Sequence, residues 1–415
     1  MSRRGPVVGL APLRGLQPLR PAHSLGLRGG SARRGGARIL AWVAPLLRFD
    51  WILLLAALSL GGLGVFLVWS ASRAELLQAG ADPQTYLKKQ LLNLIIGLIV
   101  MVSVGLLGES RLRSYAPLAY LATLLGLLVV LTPLGETVNG ARAWISLPGG
   151  FQTEPSEFAK LGLVLITARM LANVSWEDGR PPIRAVVLAL ACAAPAIALV
   201  AGEPALGVTV LLTVVLTGLI VLSGTHARWL AVLGAAAALG AFAVWQLRLL
   251  KGYQLHRLVA FVNPSADPAG ASYSVSQSKI AVGSGGLLGQ GLFHGQLING
   301  SFIPEQHTDF IFAVAGEELG YVGALAIIVL LGIVIGRALL IAASADDLFG
   351  LLVAGGIAIW FAIQAFINIG MTVGMVPVTG LPLPFVSYGG SAMFADMLAI
   401  GALQAIRRRP VSWRE

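Results

Sequence analysis

Five groups of residues have the types and spacing to do chemistry. Asp267 stands in NPSADPAG (263–270), a carboxylate in a turn between Pro264 and Pro268. An aspartate there can cap the next segment by accepting from nearby backbone N–H groups. It can also take a proton from an attacking hydroxyl, if partial burial lifts its pKa toward working pH. Glu157 and Lys160, in EPSEFAK (154–160), are three residues apart and share one face of a helix that Pro155 and Ser156 would start. They read either as an ion pair that secures packing or as a lysine presented to an anionic headgroup. Arg142, in the preceding polar interval, would suit the same anion, because a guanidinium fork matches phosphate. Glu305, His307 and Asp309 crowd the start of an apolar run, with Glu317 and Glu318 inside it. Asp309 could cap that run as a helix. The acidic pair must face an interior or a cavity, either packing or functional. Ser387, Tyr388 and Ser391, in PVTGLPLPFVSYGGS (377–391), place hydroxyls beside Gly389 and Gly390, with no partnering base that would make a serine nucleophile.

The elements that must position these groups are membrane helices. The 415 residues are 56% hydrophobic and only 12% charged, with mean hydropathy +0.81. Soluble domains carry about a quarter charged residues, and apolar runs near the ~20 residues that span a bilayer recur throughout. The single cysteine, Cys192, lies in an apolar run and can form no internal disulfide. The five histidines never fall at HExxH spacing. A metal, a divalent cation such as Mg²⁺ or Mn²⁺, would therefore be held by carboxylates and phosphate oxygens. The net charge of +10 does not mark a nucleic-acid binder, because nine arginines fall in the first 48 residues amid Gly, Pro and Ser, with no acid among them. That composition reads as a disordered basic arm on the cytoplasmic side.

Ten spans are expected, at about 51–69, 90–107, 115–132, 157–171, 185–201, 206–223, 229–245, 310–336, 350–376 and 386–406. With both termini inside, twenty of the 29 basic residues are cytoplasmic, as the positive-inside rule requires. The outer face then receives 70–89, 133–156, the long interval 246–309 and the proline-rich turn 377–385. Within the long interval, LLKGYQLHRLVAF (249–261) predicts an amphipathic helix at the interface. SYSVSQSKIAVGSGGLLGQG predicts a second helix ending in glycines. Ordered polar loops on one side make that side the working face.

The chain resembles the SEDS family (shape, elongation, division and sporulation) of polytopic cell-wall proteins. The motifs that carry the likeness are NGARAWI (139–145), TEPSEFAK (153–160), NPSADPAG with YSVSQSKIAVGSGG (273–286), FIPEQHTDFIFAVAGEELG (302–320) and NIGMTVGMVPVTGLPLPFVSYGGS (368–391). They occur in the family's order over about 50–406, with wording closer to the elongation branch than to the division branch. The resemblance implies an all-α membrane glycosyltransferase domain over 49–406, with a basic tail at 407–415. It implies polymerisation of lipid II at the outer face, release of undecaprenyl diphosphate, and work beside a class B penicillin-binding protein and other elongation-complex membrane proteins. The family's essential aspartate corresponds to Asp267, which makes it the leading candidate for general base. Arg142 and Lys160 would contact the diphosphate, and Glu157 would orient Lys160. Gln277, Lys279, Glu305, His307, Asp309, Ser387 and Ser391 complete the substrate-binding candidates. One departure stands out: the family usually has an aspartate before Leu-Gly, and this chain reads Glu203-Pro204-Ala205-Leu206-Gly207. A lipid II flippase, a division-type polymerase and a scaffold for the penicillin-binding protein are the competing readings.

Overall fold

The computed structural model describes residues 49–138, 141–147, 151–174, 181–203, 205–226, 228–246, 252–263 and 270–407. The basic arm, the tail beyond residue 407 and Asp267 lie outside the described residues.

A helix occupies each of the ten expected positions. These are α1 (Trp51–Gln78), α2 (Thr85–Leu107), α3 (Glu109–Leu131), α4 (Pro155–Ala172), α5 (Ile183–Gly202), α6 (Leu206–Leu222), α7 (Arg228–Gln246), α11 (Ile311–Ala343), α12 (Leu348–Thr372) and α13 (Gly390–Arg407). By length and composition α1, α2, α3, α5, α11 and α12 can cross a membrane, while α6 and Arg228–Gly240 of α7 are shorter apolar helices. The chain is a polytopic helical membrane protein. Large apolar side chains such as Ile99, Leu118, Val187, Leu239 and Val329 stand exposed on the outer helices, where lipid rather than water is the solvent. The central helix is α12, with 72% of its most apolar stretch buried against 22% for α3.

Caps set several boundaries. The Asp50 carboxylate accepts from Leu53 N at 3.1 Å and starts α1. It is buried because Arg337 and Arg407 each approach it to 2.5 Å, joining the ends of α1, α11 and α13. Asp347 caps α12 through Gly350 N at 2.8 Å and meets Arg113 of α3 at 3.0 Å. At the other end, α2 begins inside the interval 70–89 expected as loop. Asp82 accepts from Gln84 N at 2.9 Å and pairs with Lys88 at 2.6 Å, which turns the chain into the helix early.

Residues 133–156 contain a small antiparallel sheet that the helical reading did not anticipate, ordered β1 (Gly135–Val138), β2 (Ala141–Leu147), β3 (Phe151–Thr153). Gly135 faces Ile145 and Ile145 faces Thr153. The long interval 246–309 holds α8 (Gly252–Val262), α9 (Ala271–Ser284) and the single turn α10 (Gln296–Asn299). Ser272 Oγ donates to Ala260 O at 3.2 Å, so α8 and α9 meet on either side of residues 264–269.

The glycines of 283–291 have a specific use. Gly320 breaks α11 with φ +67°, ψ −164°, a backbone position that favours glycine. The broken turn frees the carbonyls of Glu317 and Glu318, which accept from Gln290 N at 2.9 Å and Gly291 N at 3.0 Å. In return Tyr321 N donates to Gly286 O at 2.9 Å. A Cβ at Gly289 would stand 2.1 Å from Glu318 O, so only glycine permits this approach.

Candidate functional site

A cavity of about 850 Å³ opens among α2, α6, α8, the sheet, the 305–309 turn and the loop 376–392. Each wall follows from local sequence. From α2 come Tyr86, Lys89 and Asn93, spaced so that one helical face carries all three. From α8, the helix expected to be amphipathic, come the polar Gln254 and Arg257 with the apolar Leu258. The proline-rich loop supplies Val376 to Gly380, Pro382, and Tyr388 to Ser391.

That loop is held rigidly. Asn368 Nδ2 donates to Asp309 O and Leu381 O, both at 2.8 Å. Ser387 Oγ accepts from Leu383 N at 2.8 Å and donates to Thr308 O at 2.6 Å. Tyr388 N donates to His307 O at 3.0 Å. The 305–309 turn and the loop 376–392 are thereby one hydrogen-bonded unit. Glu305, at the mouth, holds φ +54°, a conformation strained for a residue with a side chain. Its carbonyl accepts from Asp309 N at 3.0 Å, and its carboxylate from Thr308 Oγ1 at 3.1 Å.

The cavity carries both signs of charge. Burial lifts the Asp309 carboxyl to about 6, helped by Glu305 and opposed by Arg257. Glu154 is raised to about 7, first by burial and then by Glu157. It also meets Ser391, whose Oγ accepts from Glu154 N at 2.9 Å. Burial pushes the His307 imidazole below its ordinary value and Tyr388 up to about 12. Both rings, with Tyr86, form a packed trio with centroids 4.8 to 5.6 Å apart. Glu203, the C-cap of α5, is fully buried, and neither carboxylate oxygen has a hydrogen-bond partner among the described residues. Burial and Glu154 raise it to about 8. Two residues on, Ala205 lines the cavity where the resemblance led one to expect a carboxylate.

The structure gathers Glu305, His307, Asp309 and Ser391 at the cavity and places the other described candidates elsewhere. Lys160 is fully buried, bonded to Glu157 at 2.6 Å and Gln364 at 2.9 Å, with its ammonium 5.1 Å from the Trp360 ring centroid. Gln364 also donates to Pro382 O at 2.8 Å, so the pair buttresses the loop from behind. Arg142 Nε donates to Gly135 O at 3.0 Å, whereas its neighbours Ala143 and Trp144 line the cavity. Arg142 itself is not among the residues that line it. Ser387 is buried in the loop's own bonds. Gln277 and Lys279 lie on α9 outside the cavity lining, Lys279 beside Gly374. Asp267 lies outside the described residues. Glu317 caps α10 through Leu297 N at 2.9 Å and Ile298 N at 3.2 Å. Glu318 binds Ser70 Oγ at 2.5 Å and Phe293 N at 3.1 Å. Among the described residues no three His, Cys, Asp or Glu side chains converge to hold a metal ion. A divalent cation would therefore draw on one or two carboxylates together with the substrate's phosphate oxygens.

The family described as "Cell cycle protein" (FtsW, RodA and SpoVE) matches residues 50–410. The chain belongs to the SEDS family. Peptidoglycan glycosyltransferase MrdB of Escherichia coli K12 is 37% identical over 360 residues, covering 86% of this chain and 93% of its own length. A probable peptidoglycan glycosyltransferase FtsW of Trichlorobacter lovleyi is 35% identical over 364 residues, with the same coverage. Stage V sporulation protein E of Bacillus subtilis is 35% identical, covering 86% and 97%. Among solved structures, a chain of a peptidoglycan synthase complex superposes with TM-score 0.71 at 30% identity, covering 86% of this chain and 97% of that one. RodA of Thermus thermophilus gives 0.62 at 29%, covering 86% and 96%. This SEDS protein is thus RodA-like in its structural neighbours and related throughout to peptidoglycan glycosyltransferases.

Sequence reasoning missed the contribution of α2 and α8 to the site. The signal was present in Tyr86, Lys89 and Asn93 at i, i+3 and i+7, polar groups on one face of a largely apolar helix.

Proposed function

We propose that this SEDS protein polymerises lipid II into glycan strands at the outer face of the bacterial cytoplasmic membrane, in the elongation role. The supporting observation is a cavity of about 850 Å³ that brings carboxylates, cations and aromatic rings together between membrane helices. The acceptor sugar's 4-hydroxyl attacks the anomeric carbon of the lipid-linked donor. Asp267 takes its proton, the bond from the anomeric carbon to phosphate oxygen breaks, and undecaprenyl diphosphate leaves with the electron pair. The configuration inverts, and no covalent enzyme intermediate is needed. Negative charge developing on the leaving diphosphate calls for fixed cations. Lys89 and Arg257 line the cavity and suit that task better than Arg142 and the enclosed Lys160. Glu157 and Lys160 instead keep the loop 376–392 in place. No step is assigned to a metal ion.

The basic arm and tail face the cytoplasm in this reading, with all ten helices crossing the membrane and residues 246–309 outside. A class B penicillin-binding protein is the expected partner, supported by the likeness to a chain of a synthase complex whose description couples polymerization to crosslinking. Purified chain, supplied with lipid II and that partner in detergent, is expected to produce glycan strands resolvable on a gel. Transfer of lipid II across vesicle bilayers with no strand formed would support the flippase reading instead.

A further inference from the structure

Resting on that reading, we propose that Tyr86, Asn93 and Tyr388 form a saccharide subsite, selective for the N-acetylated sugar of the lipid-linked substrate over its diphosphate and its prenyl tail. Three observations converge on it.

The first is an unmet hydrogen bond. Asn93 is 3% exposed, it lines the cavity, and its Oδ1 has no hydrogen-bond partner among the described residues. A buried amide oxygen is costly to leave unpaired, so a ligand that supplies a donor gains from filling it. A diphosphate at neutral pH offers acceptors, and a prenyl chain offers neither donor nor acceptor. A sugar hydroxyl or an acetamido N–H is a donor. The oxygen therefore discriminates the sugar from the diphosphate and the prenyl tail by chemistry alone.

The second is a platform beside it. Tyr86 and Tyr388 pack edge to face with centroids 4.8 Å apart, and both line the cavity. Tyr86 is two turns before Asn93 on the same face of α2. The C–H face of a pyranose can lie on an aromatic ring while its polar edge reaches the amide, and the tyrosine hydroxyls give the platform polar handles.

The third is room. Gly389 and Gly390 follow Tyr388 in the lining, and a Cβ at Gly390 would stand 3.3 Å from Asn93 Oδ1. Any side chain there would press on that amide, so only a glycine-sized residue fits beside it.

The test uses the purified full chain and two fluorescent probes, lipid II and undecaprenyl diphosphate, in equilibrium binding. Asn93→Leu and Tyr86→Leu should each weaken lipid II binding about tenfold, roughly the worth of one well-made contact. Undecaprenyl diphosphate should bind both variants within about twofold of the parent, which also shows that they fold. Tyr86→Phe, which keeps the ring, should retain lipid II. Unchanged lipid II affinity in both leucine variants overturns the subsite, and so does equal loss of the two probes. A parent chain that binds lipid II but makes no glycan strands contradicts the polymerase reading, while the ratio between the probes still decides the subsite. A parent that does not bind lipid II overturns both.

Discussion

Asp267→Asn is expected to lower glycan-strand formation by about 10²–10⁴-fold, the usual contribution of a positioned general base, while lipid II continues to bind. The substitution is chosen to separate the two roles open to this carboxylate. Asparagine serves in turns and at helix caps nearly as well as aspartate, so a purely structural residue would tolerate the change. Asparagine cannot accept the hydroxyl proton, so a base would not. The loss should therefore appear in turnover, with little change in KM. Undiminished strand formation by Asp267→Asn would remove the residue from the mechanism.

Lys160→Met is expected to destabilise the protein by roughly 3–5 kcal/mol, because it leaves a buried glutamate without its cation. Glu157 is 2% exposed, and Lys160 is its salt-bridge partner at 2.6 Å. The damage should extend to the loop, since Lys160 and Trp360 both donate to Gln364 Oε1, and Gln364 in turn donates to Pro382 O. The double variant Glu157→Gln/Lys160→Met should recover much of the loss, as a neutral pair requires no counter-charge. Thermal unfolding in detergent reads this directly. A Lys160→Met protein as stable as the parent, yet poor at binding lipid II, would return the lysine to the substrate.

What was legible in the sequence follows from the range over which each signal acts. Helix positions were readable because apolar length is a local property, and all ten expected positions carry helices. The pairing of Glu157 with Lys160 was readable from i,i+3 spacing. Which role the pair plays was not, since it depends on Gln364 and Trp360, some 200 residues away. For Glu317 and Glu318 packing and function likewise stayed open until the chain at 293–298 brought its backbone donors to them. The strands of 135–153 flank an Asn139-Gly140 dipeptide, a hairpin signal that the surrounding membrane pattern obscured. The cavity itself was the hardest feature to see. Tyr86 and Tyr388 lie some 300 residues apart in the chain, and their motifs carry no mark of each other. Family likeness pointed to the motifs, but only packing decided which side chain of each faces inward.

All the proposed chemistry requires the α8–α9 region to lie outside the cell. Ser276, exposed on α9, can be changed to cysteine in a Cys192→Ala background, leaving one thiol. In intact cells that thiol is expected to react with a membrane-impermeant maleimide added from outside. Labelling that appears only after the membrane is permeabilised would put the cavity in the wrong compartment and contradict the polymerase assignment.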